Sequence, residues 1–175
     1  MSLPLLPSCF LALKSVDLAR AAQLLSELRK VKEKALSTPP AGPGQLASRM
    51  GIQNGHLVLE RGFGSDCDES IRSEISSITG NALLDENSQE VVDAVITWWR
   101  EDDGDLIDEL VDCLTYLSES GPIWLLTPKV SRPGHVEPSD IQDAAQTAGL
   151  SLTSTLPASK DWTATRLVAR KSGRK

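Results

Sequence analysis

Short apolar segments alternate with segments of helical periodicity from residue 45 to residue 175. Strands are predicted at 56–60, 82–85, 91–98, 123–127, 151–155 and 165–169, where apolar or β-branched residues cluster. Helices are predicted at 68–78, 105–118 and 139–148, where apolar residues recur every three or four positions. Strands that are apolar throughout and alternate with helices are typical of a parallel sheet covered on both faces.

The last two predicted strands break this alternation. About eight residues join them, too few for a helical crossover between parallel strands. We therefore expect an antiparallel pair at the carboxyl end. The whole segment is predicted to form a small Rossmann-like α/β domain of three layers, with a mostly parallel sheet and an antiparallel C-terminal strand.

Residues 1–44 have a different character. The segment 16–36 has helical periodicity and basic residues in its last turns, and 37–44 contains three prolines and two glycines. We interpret 1–44 as an N-terminal helix and linker appended to the domain 45–175. The helix could be part of a loosely ordered extension, or it could dock on this domain, on a partner, or on a second copy of the chain as a possible homo-oligomer.

The charge is unevenly distributed. The net charge is −6, and residues 60–119 contain 17 acids but only three bases. A basic field that would attract nucleic acid is absent, so we expect no nucleic-acid partner. No apolar run approaches the roughly 18 residues of a membrane span, so we expect no membrane partner. The three cysteines lack disulfide or zinc spacing, and this favours the cytoplasm.

The strand at 56–60 leads into a Gly-x-Gly turn, Gly62-Phe63-Gly64, that precedes a helix. Glycines at such a turn let the backbone approach a ligand. Asp85 follows Gly64 by 21 residues and ends the next predicted strand, where an acid can accept hydrogen bonds from a ribose. This pattern makes Gly62, Gly64 and Asp85 candidate cofactor-binding residues.

These motifs resemble those of the class I S-adenosylmethionine methyltransferases, and Asp93-Ala94-Val95-Ile96 is similar to their fourth motif. The resemblance implies S-adenosylmethionine or a nucleotide as cofactor. However, only 29 residues separate Gly64 from Asp93, which leaves room for one βα unit fewer than that family has.

A second resemblance covers about residues 45–175. It is carried by the runs Trp98-Trp99-Arg100, Asp103-Gly104-Asp105-Leu106, Trp124-Leu125-Leu126-Thr127-Pro128-Lys129 and Arg132-Pro133-Gly134-His135-Val136-Glu137-Pro138-Ser139. They resemble an actinobacterial family known only as a domain of unknown function. The resemblance implies a small cytoplasmic α/β domain and no assigned reaction.

Three loops follow predicted parallel strands, at 62–65, 99–103 and 128–135. In open α/β sheets ligands bind outside the carboxyl ends of the strands, so we expect these loops to share one rim. The candidate ligand or partner residues on this rim are Trp99, Arg100, Asp103, Lys129, Arg132 and His135.

Neither a catalytic residue nor a metal site is predicted. No serine or cysteine nucleophile stands beside His135 in a recognisable motif. The acidic run at 101–105 lacks the carboxylate spacing of a calcium loop, and Asp105 is placed to cap the following helix.

The tryptophans allow a separate prediction about the core. Trp98 and Trp99 are adjacent in a strand, so their rings must point to opposite faces of the sheet. We expect Trp124 to pack in the core, and Trp162, in the turn before the last strand, to serve surface recognition.

Three functions remain open, and whether the chain is an enzyme stays undecided. The first is a non-catalytic, cytoplasmic binding or regulatory domain that contacts a protein partner or small ligand through the rim and its acidic surface. The second is a degenerate methyltransferase-like protein that binds S-adenosylmethionine or a nucleotide. The third is a structural subunit that oligomerises through its N-terminal helix.

Overall fold

The computed structural model describes residues 45–170 together with Gln23, which is helical. The chain divides into two units, Met1–Gly42 and Pro43–Lys175, and the elements named below belong to the second. Apart from Gln23, the predicted helix at 16–36 and the linker at 37–44 lie outside the described residues. Oligomerisation through that helix therefore stays a prediction.

Residues 45–170 contain four helices and five strands. In chain order they are α1 (Leu46–Arg49), β1 (Val58–Arg61), α2 (Glu69–Thr79), β2 (Ala94–Trp98), α3 (Leu106–Tyr116), β3 (Ile123–Pro128), α4 (Pro138–Thr147), β4 (Leu150–Pro157) and β5 (Trp162–Ala169).

The strands form one sheet in the order β1-β2-β3-β5-β4. Strands β1, β2 and β3 are mutually parallel, whereas β5 is antiparallel to both of its neighbours, β3 and β4. The predicted α/β class, the mostly parallel sheet and the antiparallel pair at the carboxyl end are confirmed. The connection between β4 and β5 is the short one from which the antiparallel pair was predicted.

Side chains alternate between the two faces of the sheet along each strand, so both faces carry apolar residues. Helices cover each face. One face packs against α1 and α2 and buries Val58, Ile96, Trp98, Trp124, Leu126 and Trp162. The other packs against α3 and α4 and buries Leu59, Val95, Trp99, Leu125, Leu150 and Leu167. The core therefore has two halves separated by the sheet.

Side-chain caps begin two of the helices. The Asp68 carboxylate accepts a hydrogen bond from the Ser70 amide at the start of α2. Asp105 caps α3 in the same way by accepting one from the Ile107 amide at 2.8 Å. Capping by Asp105 was the structural role predicted for the acidic run, and such a cap stabilises a helix by about 1 kcal/mol.

Several predicted strand limits were wrong. The strand predicted at 82–85 is reduced to a single parallel bridge between Leu84 and Leu59, at the outer edge of the sheet. The strand predicted at 91–98 begins at Ala94, and the last two strands are longer than predicted. The four-residue helix α1 was not predicted. Pairing partners rather than local composition set these limits.

The tryptophans are all in the core. Trp98 and Trp99 do lie on opposite faces, with 1% and 7% of their surfaces exposed, and Trp124 packs inside as expected. Surface recognition by Trp162 was wrong, because its ring is 3% exposed and packs edge-on against Trp98 with the ring centroids 4.8 Å apart.

In the part of the chain that the structure describes, no helix is both long enough and apolar enough to cross a membrane.

Candidate functional site

The carboxyl ends of β1, β2 and β3 lie at one edge of the sheet, because the three strands are parallel neighbours. The loops that follow them are in contact. The Glu101 amide donates to the Gly134 carbonyl at 3.1 Å, and an Arg100 guanidinium nitrogen donates to the Gly62 carbonyl at 2.8 Å. The three loops therefore form a common rim.

Residues 62–65, the glycine turn, pack closely against β2. Gly62 has a φ of +65°, and a Cβ added there would lie 2.2 Å from the backbone oxygen of Trp98. No side chain fits in that space. The glycine at this position is thus required by the contact between the turn and the end of β2, whether or not a ligand approaches.

Arg100 fills the space beside the second glycine of the turn. Its guanidinium donates to the Gly62 carbonyl, to both carboxylate oxygens of Asp66 and to the Cys67 sulfur at 3.1 Å. A Cβ added at Gly64 would lie 3.1 Å from a guanidinium nitrogen of Arg100. The turn is therefore closed from within by an arginine of the next loop.

The ion pair of Arg100 with Asp66 contacts the core through Trp162. The hydrogen bond from Arg100 holds the pKa of the Asp66 carboxyl below its usual range. The same guanidinium lies 5.2 Å from the ring centroid of Trp162, whose indole N–H donates to the Asp66 carbonyl at 3.2 Å. Burial raises the pKa of the neighbouring Cys67 thiol, which favours its neutral form.

Asp103 completes the group around Arg100. Its carboxylate accepts a hydrogen bond from the Arg100 amide at 2.9 Å and lies 3.4 Å from the guanidinium. Three of the predicted rim residues, Trp99, Arg100 and Asp103, thus come together.

These residues line a cleft of about 470 Å³, the glycine-turn cleft. A second ion pair lies in it, where Arg61 donates twice to the Glu109 carboxylate at 2.7 and 2.9 Å. The Thr97 hydroxyl donates to the same carboxylate at 2.9 Å. Hydrogen bonding to Glu109 raises the pKa of Arg61, which keeps the guanidinium charged. With Asp66, Glu86 and Asp103, the cleft has two cationic and four anionic side chains.

Asp85 does not line this cleft. It is exposed, and its carboxylate accepts a hydrogen bond from the Asn87 amide at 3.0 Å, which makes it part of a local turn. The neighbouring Glu86 lines the cleft instead. Of the three predicted cofactor residues, only Gly62 and Gly64 are therefore at the cleft.

Lys129 and His135 lie in a different cavity, of about 740 Å³, on the α3/α4 face of the sheet. Its floor consists of four threonines from three strands, Thr127, Thr155, Thr163 and Thr165, and we call it the threonine cavity. Sequence reasoning missed these threonines. The repeat Thr163-x-Thr165 places two of them on one face by the period of two along a strand, and this signal was available.

The two predicted residues in this cavity are held by backbone carbonyls. The Lys129 ammonium donates to the Ser159 carbonyl at 2.7 Å. Nδ1 of His135 is 2.9 Å from the Pro128 carbonyl and must carry the proton, because a carbonyl only accepts.

Arg132 is separate from both sites. Its guanidinium lies 3.5 Å from the Asp161 carboxylate, and both side chains line a smaller cavity with Pro128 and Trp162. The six predicted rim residues are therefore distributed over three neighbouring cavities.

Metal ligation finds no support among residues 45–170 and Gln23. Within them, no group of three or more histidine, cysteine, aspartate or glutamate side chains is arranged to hold an ion.

Residues 47–171 match the model of a family described as "Protein of unknown function (DUF3052)". Among curated proteins, uncharacterised proteins of Mycobacterium tuberculosis and Mycobacterium bovis are each 48% identical over 126 residues, which are 72% of this chain and 79% of the relative.

Several solved structures of methyltransferases have a similar fold. An O-methyltransferase from neocarzinostatin biosynthesis matches with a TM-score of 0.56 and 12% identity, over 88% of this chain and 60% of the other. A SAM-dependent methyltransferase from Aquifex aeolicus matches with a TM-score of 0.50 and 11% identity, over 73% of this chain and 89% of the other. At these identities the likeness concerns the fold alone.

Proposed function

Since the chain belongs to the DUF3052 family, whose description names no reaction, we propose that it is a non-catalytic binding domain on a methyltransferase-like fold. It binds a small ligand or a partner through the loops at the carboxyl ends of β1, β2 and β3. We place it in the cytoplasm, where its reduced cysteines would persist.

One observation carries this proposal, the closure of the glycine turn by Arg100. In a binder of S-adenosylmethionine, the space beside such a turn is needed for the ligand. Here the guanidinium takes that space and forms two charge-assisted hydrogen bonds with the half-exposed carboxylate of Asp66, a pair worth about 1 kcal/mol after solvent screening. A ligand at the turn would have to displace these bonds without an evident substitute.

The acidic surface supports a regulatory role. Glu101 and Asp102 follow Arg100 in the rim, are exposed, and have carboxylates that bond to no other described residue. They can attract a basic partner, and raising the salt concentration should weaken that contact because exposed charges are screened.

A second candidate is binding of S-adenosylmethionine without methyl transfer. It is favoured by the excess of carboxylates in the glycine-turn cleft, since that molecule carries a sulfonium cation. Phosphate-bearing nucleotides are disfavoured by the same charge.

Thermal unfolding of the full chain with a panel of S-adenosylmethionine, ATP, carboxylates and amines tests both candidates. We expect stabilisation by at least one class other than the methyl donor, with the ligand recovered chemically unchanged by mass spectrometry. A ligand at 100 times its Kd adds about 2.7 kcal/mol, or roughly 5–10 °C in Tm.

Variants locate any binding of S-adenosylmethionine. Glu86→Arg inverts an exposed charge that lines the cleft, and Glu90→Arg is the matched control outside it. Stabilisation by S-adenosylmethionine that Glu86→Arg removes and Glu90→Arg keeps would establish the second candidate. Conversion of S-adenosylmethionine to S-adenosylhomocysteine would overturn the non-catalytic proposal.

A further inference from the structure

We propose that the threonine cavity binds a small amphipathic carboxylate, a molecule with an apolar body and one negative group. This inference rests on the proposed binding function and names its place and ligand class.

The floor of the cavity follows from the strand order. Thr127 of β3 pairs with Thr163 of β5, and Thr165 of β5 pairs with Thr155 of β4. Directly paired residues point to the same face, so the four threonines form one patch at the end of the sheet. The cavity volume of about 740 Å³ is within the range of small-molecule sites, roughly 300–1,000 Å³.

Two of these threonines have little exposed surface, and their hydroxyls face the cavity. Thr127 and Thr165 are 3% and 4% exposed, and neither hydroxyl bonds to another described residue. Among the described side chains, the only fully enclosed polar atom without a partner is Nε1 of Trp124, so both threonine hydroxyls are open to the cavity. Both residues line the cavity, so their hydroxyls are available to hydrogen-bond to the oxygen atoms of a ligand.

The charge of the lining selects an anion. Lys129 carries the one full charge among the lining residues, and no carboxylate side chain belongs to that lining. Its ammonium uses one donor on the Ser159 carbonyl, so two N–H groups remain for a ligand. Glu137, which is outside the lining, is exposed and lies 3.8 Å from the imidazole of His135.

Apart from Ser131 and His135, the rest of the lining is apolar and extends to the surface. Val136 and Ile141 are buried at the inner side, whereas Val130 is 80% exposed and Leu152 is 41% exposed. Val130 and Leu152 are two of only five large apolar residues that are exposed in the described part of the chain. Exposed apolar groups beside a cavity are typical of a binding site for an apolar body.

Isothermal titration calorimetry of the full chain with octanoate and phenylacetate tests the proposal. The matched neutral alcohols, octanol and phenylethanol, and the cation octylamine are the comparison ligands. We expect saturable binding of at least one carboxylate at one site, and about tenfold or more weaker binding of its alcohol and of octylamine. No saturable binding of either carboxylate at millimolar concentration would overturn the proposal, as would equal binding of the alcohols.

Two pairs of variants locate the site. Thr155→Trp places a large ring in the cavity from an exposed strand position, and Ser154→Trp places it on the opposite face of the same strand. We expect the first to lower carboxylate affinity about tenfold or more and the second to leave it unchanged. Lys129→Met should likewise lower the affinity about tenfold. The exposed Lys160→Met should not change it. Carboxylate binding that survives both Thr155→Trp and Lys129→Met would place the ligand elsewhere.

Failure here is distinguishable from failure of the proposed function. If no carboxylate binds but another class of ligand stabilises the chain, the binding function stands and this cavity is not its site. If S-adenosylmethionine binds and is converted, the non-catalytic function fails whatever the carboxylates do.

Discussion

The glycine-turn cleft and the threonine cavity lie near the same edge of one sheet, yet their polar groups are used differently. In the cleft, Arg100 bonds to Gly62, Asp66 and Cys67, and Arg61 bonds to Glu109. In the cavity, the hydroxyls of Thr127 and Thr165 are open to the cavity and have no partner among the described residues. The comparison teaches that a motif typical of ligand binding can be satisfied internally, whereas polar groups that face a cavity without a partner are available to a ligand.

The prediction with the largest expected effect tests whether the fold requires a glycine at position 62 of the glycine turn. Gly62→Ala should destabilise the domain by about 3 kcal/mol or more, because its Cβ would collide with the Trp98 carbonyl. Urea denaturation followed by circular dichroism measures the change. Gly55→Ala is the control, since Gly55 has a φ of +84° but no atom within 4 Å of an added Cβ. It should cost only about 1 kcal/mol, for backbone strain alone. Equal losses in the free energy of unfolding for the two variants would refute the close approach at Gly62.

The second prediction compares Arg100, the cation that closes the glycine turn, with Lys129, the cation of the threonine cavity. Arg100→Met should cost about 2–3 kcal/mol, because Asp66 and the Gly62 carbonyl lose their charged donor. Lys129→Met should cost under about 1 kcal/mol, since it removes one bond to a backbone carbonyl. The same denaturation experiment gives both values. A cost for Lys129→Met as large as that for Arg100→Met would mean that the cavity cation is also structural.

A third comparison uses buried threonines. Thr97→Val should destabilise by about 1–2 kcal/mol, because it removes a donor to the half-buried Glu109 carboxylate. Thr127→Val should be close to neutral, or stabilising, because its hydroxyl has no described partner to lose. Thermal unfolding distinguishes the two. If Thr127→Val were the more costly change, the contrast between cleft and cavity would be wrong.

The smallest expected effect is a pH dependence. Hydrogen bonding from Arg100 lowers the folded-state pKa of Asp66. The ionised carboxylate therefore stabilises the domain at pH values above the usual aspartate pKa of about 4. This stabilisation is lost as the pH falls through the lowered pKa. The side chain is 50% exposed, so solvent screening keeps the effect small. Asp66→Asn should flatten the acid limb of the stability curve. The free energy of unfolding is measured by denaturation between pH 5 and pH 2, an interval of about three units around the usual range. An acid limb that the substitution leaves unchanged would argue against this ion pair.

Much of the fold was predictable from local patterns. The opposite faces of Trp98 and Trp99 follow from the pleat, and the cap at Asp105 follows from its place before a helical run. Parallel strands with loops at one edge led to the common rim. The burial of Trp162 was not predictable, because it depends on β5 lying next to β3 rather than next to β4 alone.

The candidate site was predictable only in part. Lys129 and His135 were chosen because they follow β3, and they do line a cavity. The same reasoning assigned Asp85 to a cofactor, although it lies in a local turn. The glycine motif was recognised, but its partner was not, because Arg100 is 38 residues from Gly62 in the chain.

The sequence by itself determined the alternation of elements, the faces of adjacent strand residues, the antiparallel end and the family. These depend on periods of two and 3.6 residues and on loop lengths, which are local properties. Only the tertiary structure decided that Arg100 closes the glycine turn and that four threonines from β3, β4 and β5 form one floor. Such contacts join residues distant in sequence, and the order of the strands in the sheet determines which of them meet.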